Sequence, residues 1–264
     1  MQGYLVVLRF ELFGLFVSPA TYVASFYFLA LLGFGFRFFI ETFVNTDWIL
    51  PPLSSLVVGL MFGSPALIPF LTMRSLAEEK RLGTLETLLS APVTNFAVVF
   101  GKWTACYLFF VFISMAAFCF PLIIYFWFPE QSSTLGFSNL EQWIGCFLYL
   151  LTFGASFSAI GIFSSSITNN QMVAGMLTFT LLTLYLSIMA VSFGEVSDTQ
   201  IFSGFSQFLW SCIGSMFHGL NKMQNFSVGL IEIQTILHQI VVMFYFLFLA
   251  SIQVDRMRKW WISK

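Results

Sequence analysis

Residues whose types and spacing suit chemistry are concentrated in one stretch, Arg74-Ser-Leu-Ala-Glu-Glu-Lys-Arg-Leu-Gly-Thr-Leu-Glu-Thr-Leu-Leu-Ser-Ala-Pro-Val-Thr94. Arg74, Glu78, Glu79, Lys80, Arg81, Glu86 and then Lys102 fall between two apolar segments of bilayer length. Charge placed there is expected to face water and to offer a handle to something outside the membrane. The chemistry of such a handle is recognition through ion pairs and hydrogen bonds. Bond-making chemistry is not indicated. No Gly-x-x-x-x-Gly-Lys-Ser/Thr phosphate loop occurs, and Gly101-Lys102 lacks both the upstream glycine and the following hydroxyl. His-Glu-x-x-His is absent too. Cys106, Cys119, Cys146 and Cys212 show no Cys-x-x-Cys spacing, which leaves them a packing role.

The local pattern predicts two short helical pieces within the stretch. Ser75 followed by Glu78 has capping-box spacing, so hydroxyl and carboxylate are expected to satisfy the first free amides of a helix leaving the second span. Gly83 suits its end. Thr84 to Ser90 then sets Leu85, Leu88 and Leu89 on one face and Glu86 on another, before Pro92 closes the segment. An ordinary solvated loop whose charges only enforce orientation is the competing reading.

The elements that must carry this handle follow from composition. Of 264 residues, 58% are hydrophobic and only 9% charged, with 36 Phe and a mean hydropathy of +0.88, so the chain needs lipid as solvent. Six segments are long enough to cross a hydrocarbon core about 30 Å thick: Thr21 to Ile40, Ser54 to Thr72, Trp103 to Phe128, Trp143 to Phe163, Met172 to Phe193 and Ile236 to Val254. Uninterrupted apolar runs favour helices over an outer-membrane barrel. The fold class is therefore an all-α integral membrane protein, read as one domain over 1–264. With the N-terminus inside, Arg9, Arg74, Lys80, Arg81, Lys102, Arg256, Arg258, Lys259 and Lys264 all fall on the inner side. Arg37 and Lys222 alone fall outside, so both termini are expected to be cytoplasmic.

Residues 1–19 contain Arg9 and Glu11, which interrupt any signal-like apolar core. Tyr4, Leu5, Leu8, Leu12, Leu15 and Phe16 recur near helical spacing, as in a helix lying along the inner leaflet before Pro19. A plain extension of the first span is the alternative. Gly154 with Ser158, and Ala155 with Ala159, have the small-xxx-small spacing that permits close helix approach, within one subunit or between two. The apolar run Ile201 to Phe217 is too broken for a seventh span and suits re-entrant or extracellular helices. Cys212, Met216, His218 and Met223 are of types that bind a soft metal such as copper, but at helical spacing they read as packing residues.

The run Glu78-Glu79-Lys80-Arg81-Leu82-Gly83-Thr84-Leu85-Glu86-Thr87-Leu88-Leu89-Ser90-Ala91-Pro92-Val93, followed by Gly101-Lys102, resembles the intracellular signature of ABC type-2 permeases. His218-Gly-Leu-Asn-Lys-Met-Gln-Asn-Phe-Ser-Val-Gly-Leu-Ile-Glu232 and the later Asp255-Arg256 resemble the carboxyl-terminal block of the branch holding gliding-motility permeases and the permease that serves nitrous oxide reductase maturation. The resemblance implies a six-helix half-transporter with an N-terminal elbow helix, a coupling helix between spans two and three, and short helices between spans five and six. It assigns Glu78, Glu79, Lys80, Arg81, Gly83, Thr84, Glu86, Leu88, Leu89 and Pro92, within 74–102, to the surface that docks on a cytoplasmic ATPase. ATP and magnesium would be held by that partner, with no cofactor in this chain. A second permease copy in a homodimer, or a related permease, an extracytoplasmic accessory protein and membrane lipid complete the implied partners. The implied location is a bacterial inner membrane.

Other classes fit less well. A proton-coupled carrier needs an acid or His deep in a span, whereas the acids fall at ends or in loops. A basic block interleaved with exposed aromatics is missing, so nucleic acid is not expected. A membrane anchor that binds a partner without responding to nucleotide is the remaining alternative.

Overall fold

The structure is a computed structural model, and it describes residues 2–45, 52–84, 94–128, 137, 139–191, 225–226 and 229–262. Among these residues it is helical, without strands. In chain order the helices are α1 (Gln2–Val17), α2 (Pro19–Asn45), α3 (Pro52–Thr72), α4 (Ala77–Leu82), α5 (Asn95–Trp127), α6 (Leu140–Ile167), α7 (Gln171–Val191) and α8 (Ile233–Ile262). Six of them, α2, α3, α5, α6, α7 and α8, build spans long and apolar enough to cross a membrane. That number matches the hydropathy of the sequence. Its broken apolar stretch from Ile201 to Phe217, with Cys212, Met216, His218 and Met223, lies outside the described residues.

The bundle is organised around α3 and α6, the two spans buried over most of their surface. One apolar cluster holds Leu56, Leu60 and Met61 of α3 against Phe110 and Ile113 of α5 and Phe153 and Phe157 of α6. A second, at the end of the bundle where α4 lies, joins Leu76, Val99, Trp103, Ala159, Ile162, Leu247 and Val254. Aromatic side chains fill the first core, while Phe26, Phe34, Phe38, Phe126 and Phe248 stand on the outer surface. In lipid that is no liability, since the surrounding tails are as apolar as the side chains.

Close approach is purchased with glycine at a few crossings. A Cβ at Gly154 would lie 2.4 Å from the Phe110 ring, and one at Gly161 would lie 2.6 Å from Thr72 Oγ1. The small-residue face of α6 is thus occupied from within the chain. Ala155 is half-buried, with its carbonyl accepting from Trp103 Nε1 at 3.0 Å, and Ser158 and Ala159 are buried. Backbone polarity is satisfied locally, as a hydrocarbon environment demands. Pro65 cannot bond the Met61 carbonyl four residues back, and the Ser64 hydroxyl donates to it instead, at 2.7 Å. Within the bundle, Ser156 Oγ and Tyr185 OH meet Gln239 Oε1 at 2.6 and 3.5 Å, tying α6, α7 and α8 together.

α1 ends at Val17, and Pro19 occupies the first turn of α2, where its missing N–H has no cost. Thr21 Oγ1 reaches back to the carbonyls of Leu15 and Ser18, at 2.6 and 2.7 Å, and holds the corner. Of the residues expected on the apolar face of α1, Tyr4, Leu8, Leu12, Leu15 and Phe16 are half-buried, and only Leu5 departs from the expectation. Val7 is buried and Leu5 exposed, because α1 crosses α5 at Gly101, whose absent side chain leaves room for Val7.

Gly145 gives the sharpest packing test, since a Cβ there would lie 2.1 Å from the backbone oxygen of Phe226, which cannot rotate away. Gly145→Ala is expected to lose about 2 kcal/mol in thermal unfolding in detergent, overpacking outweighing helix propensity. Gly14→Ala, with nothing within 4 Å, is expected to be neutral or to gain up to about 1 kcal/mol. The reverse order of the two melting temperatures would refute this packing account.

Candidate functional site

α4 is only six residues long, far below the length at which a helix holds itself in water, so its neighbours must fix it. Its first amides are not capped from within. Leu76 stands at the N-cap without a side-chain bond, and the Ser75 hydroxyl is buried with no partner, so the capping box expected from Ser75 and Glu78 does not form. Ser165 of α6 takes its place, with Oγ accepting from the backbone N–H groups of both Leu76 and Ala77 at 3.1 Å. Glu78 is drawn instead toward Arg74, 4.0 Å away. The other end of α4 follows the sequence: Gly83 adopts φ 73°, the left-handed conformation that ends helices, and its N–H bonds the Lys80 carbonyl.

Lys80 returns the favour to α6. Its Nζ donates to the carbonyl of Ser166 and, at 3.4 Å, to that of Thr168, where the last turn of α6 leaves carbonyls without intrahelical donors. A cation at that place also complements the helix dipole. α4 and the end of α6 therefore cap each other.

Lys102 makes the third connection. It lies in the second turn of α5 with no solvent-exposed surface, so the reading of all seven charges as a water-facing handle is corrected here. An ammonium cannot be left bare at such a place, and three acceptors surround it. Nζ donates to Glu11 Oε1 of α1, to Glu79 Oε1 of α4 at 2.8 Å and to the Ser75 carbonyl at 2.9 Å. Both carboxylates are about four-fifths buried themselves. One ammonium thus joins the N-terminal helix, the segment following α3 and the start of α5. Glu79 Oε2 is buried without a partner and leaves one acceptor over at this junction.

Lighter contacts surround the junction. Arg74 Nη1 donates to Ser18 Oγ at 3.1 Å, and Tyr4 OH to Thr104 Oγ1 at 3.1 Å. Asn95, at the start of α5, donates to Asp255 and accepts from Arg258 at 3.2 Å, both on the last turns of α8. Arg81, Leu82, Gly83 and Thr84 form the exposed rim, with Leu82 showing 61% of its surface.

Of the residues singled out from the sequence, Glu79 and Lys80 enter the junction, Glu78 stands at its edge, and Arg81, Gly83 and Thr84 face outward. Glu86, Leu88, Leu89 and Pro92 lie outside the described residues. Gly154 and Ala155 meet Phe110 and Trp103 of α5, Ala159 joins the apolar cluster that holds Leu76, and Ser158 is buried. Sequence reasoning missed Glu11 and Ser165. Glu11 did carry a signal, because it shares a helical face with Tyr4, Leu8 and Leu15, and an acid on an apolar face calls for a buried cation. Among the described residues no group of three or more His, Cys, Asp or Glu side chains is arranged to hold a metal.

The junction predicts a non-additive mutational cycle. Lys102→Met strands two largely buried carboxylates and is expected to cost about 3–5 kcal/mol of thermal stability in detergent. Adding Glu11→Gln and Glu79→Gln is expected to restore most of that loss, because the buried charges are then gone together. A triple variant as unstable as the sum of its single changes would rule out the three-way pair.

The family model described as ABC-2 family transporter protein matches residues 40–252, which takes in Glu79, Lys80, Lys102 and Ser165 and leaves Glu11 outside. No curated protein matches the sequence. With the match covering most of the chain and six membrane-crossing helices, the chain belongs to the ABC-2 family of transporter proteins and is a multi-pass membrane permease.

Proposed function

We propose that this permease is the membrane subunit of an ATP-driven exporter and that residues 74–102 receive force from a separate cytoplasmic ATPase. Members of the family normally work with such a partner. The observation that carries the proposal is the Lys102 junction, which ties α4 at once to α1 and α5, while Ser165 and Lys80 tie it to α6. A short helix held at both ends by ion pairs and caps passes displacement to several spans, whereas a solvated loop absorbs it.

On this reading Glu78, Arg81, Gly83 and Thr84, with Glu86, Leu88, Leu89 and Pro92, form the docking surface, and Glu79 and Lys80 act as its struts. α1 is the elbow helix. Both termini and α4 lie in the cytoplasm of a bacterium, on the inner face of its plasma membrane, as the distribution of Lys and Arg supports. The working unit is two permease copies, a homodimer in preference to a pair with a related permease, with two ATPases and an extracytoplasmic accessory protein. The resemblance of 218–232 supports the branch of gliding-motility and nitrous-oxide-reductase-maturation permeases. Spans rich in Phe and Leu suit an apolar or amphipathic cargo, or force delivered to an envelope protein, better than a small ion.

Co-reconstitution with the ATPase separates surface from strut. Glu78→Lys is expected to weaken ATPase binding about tenfold while leaving thermal stability unchanged, since its one ion pair is long and partly solvated. Glu79→Gln is expected to preserve binding and to uncouple hydrolysis from transport. The reading fails if the double variant Glu78→Lys with Glu79→Lys assembles and runs a coupled cycle like the unaltered protein.

A further inference from the structure

A narrow crevice of about 290 Å³ opens between α2 and α3, on a side of the bundle remote from the Lys102 junction. Its walls are Phe28, Leu32 and Phe36 of α2 and Leu56, Val58 and Gly59 of α3. The two helices run antiparallel and come close at Gly59 and Gly63, one turn apart on α3. A Cβ at Gly63 would strike the Phe28 ring at 2.7 Å, and one at Gly59 would touch Leu32 at 3.0 Å. Beside this contact Gly35 faces open space, with nothing within 4 Å of where its Cβ would be. Gly35 is part of the crevice wall and adds no side chain to it.

The dimensions and chemistry of the crevice specify an occupant. Its lining runs from Phe28 to Phe39 along α2, about 16 Å at 1.5 Å per residue, close to half of a hydrocarbon core about 30 Å thick. Such a volume spread over such a length makes a slot one hydrocarbon chain wide. The slot lies wholly within the spans of α2 and α3, in the half nearer Asn45 and Pro52. The hydroxyl it contains, that of Ser55, donates to the Pro52 carbonyl of its own helix at 2.6 Å, so the walls leave no donor for a polar cargo. An empty slot in lipid would forfeit dispersion contacts along both walls. Water gains nothing by entering it.

We infer that this crevice is a binding site for a single acyl chain of a membrane phospholipid, which lies between α2 and α3 as a fixed wedge over the depth of one leaflet. The inference stands on membrane placement alone and does not depend on how the ATPase docks. It is tested with a phosphatidylcholine carrying a photoreactive diazirine in mid-chain, in vesicles containing the full-length protein, with cross-linked peptides identified by mass spectrometry. Adducts are expected to concentrate on the crevice walls, above those on the exposed α8 face around Phe244 and Phe248. Gly35→Leu adds a side chain to the crevice wall at a position whose Cβ has nothing within 4 Å, and is expected to lower wall adducts about tenfold, a loss of ~1.4 kcal/mol in relative occupancy, with α8 adducts unchanged. Ala66→Leu, which plugs the other end at an exposed position, is expected to do the same and guards against local misfolding in the first variant. Wall adducts no denser than those on α8, or unaffected by both substitutions in protein of unchanged melting temperature, would overturn the inference.

Discussion

A primary ammonium buried without any contact with solvent is tolerable only where the protein supplies its counter-charges, and Lys102 is such a group. Everything at that end of the bundle is arranged to supply them. Glu11 comes from α1, Glu79 from α4 and the third acceptor from the backbone at Ser75, just before α4, so two segments distant in the chain are bound to one nitrogen of a third. Because the two carboxylates are themselves largely buried, none of the three partners is free to leave alone: departure of any one leaves the others uncompensated. That mutual dependence is stronger than three independent contacts would be.

The exchange between α4 and α6 complements the ion pairs by fixing direction. Ser165 holds the first amides of α4, and Lys80 covers the last carbonyls of α6, so each helix end satisfies the other with groups it would otherwise have to find in water. Rotation of α4 about Lys102 would break these bonds. α6 in turn packs deeply against α3, through Gly161 at Thr72, and against α5, through Gly154 at Phe110. These two crossings give α4, through α6, a continuous packed connection to the centre of the bundle.

The sequence made the architecture legible and the junction only partly so. Six spans were readable because a bilayer imposes a length and polarity that few other environments do, and Gly83 was readable because a positive φ selects for glycine. The Ser75 cap was misread because capping-box spacing records what a helix end can do by itself, and here Ser165, 90 residues away in sequence, competes for the same amides. Lys102 looked solvated because charge between spans usually is, and nothing local marks a lysine whose counter-ions arrive from two other helices. Glu11 lay on an apolar helical face and could have been matched to it. Long-range pairing, rather than local pattern, is where one-dimensional reading gives out.

α1 shows how the junction and the membrane are linked. Glu11 faces inward to Lys102, while Val6, Phe10, Phe13 and Val17 are exposed on the outer side of the same helix. If α4 carries Lys102 and the start of α5 with it, α1 has two options: it stays in place and gives up the Glu11–Lys102 pair, or it moves as well and drags its aromatic face past lipid tails. Abandoning a buried partner costs about 3–5 kcal/mol. Moving apolar side chains among apolar tails exchanges like for like and carries little penalty. The second option wins by a wide margin, so α1, α4 and the start of α5 respond as one body, with the first corner at Ser18-Pro19 as the place where their motion is handed to α2.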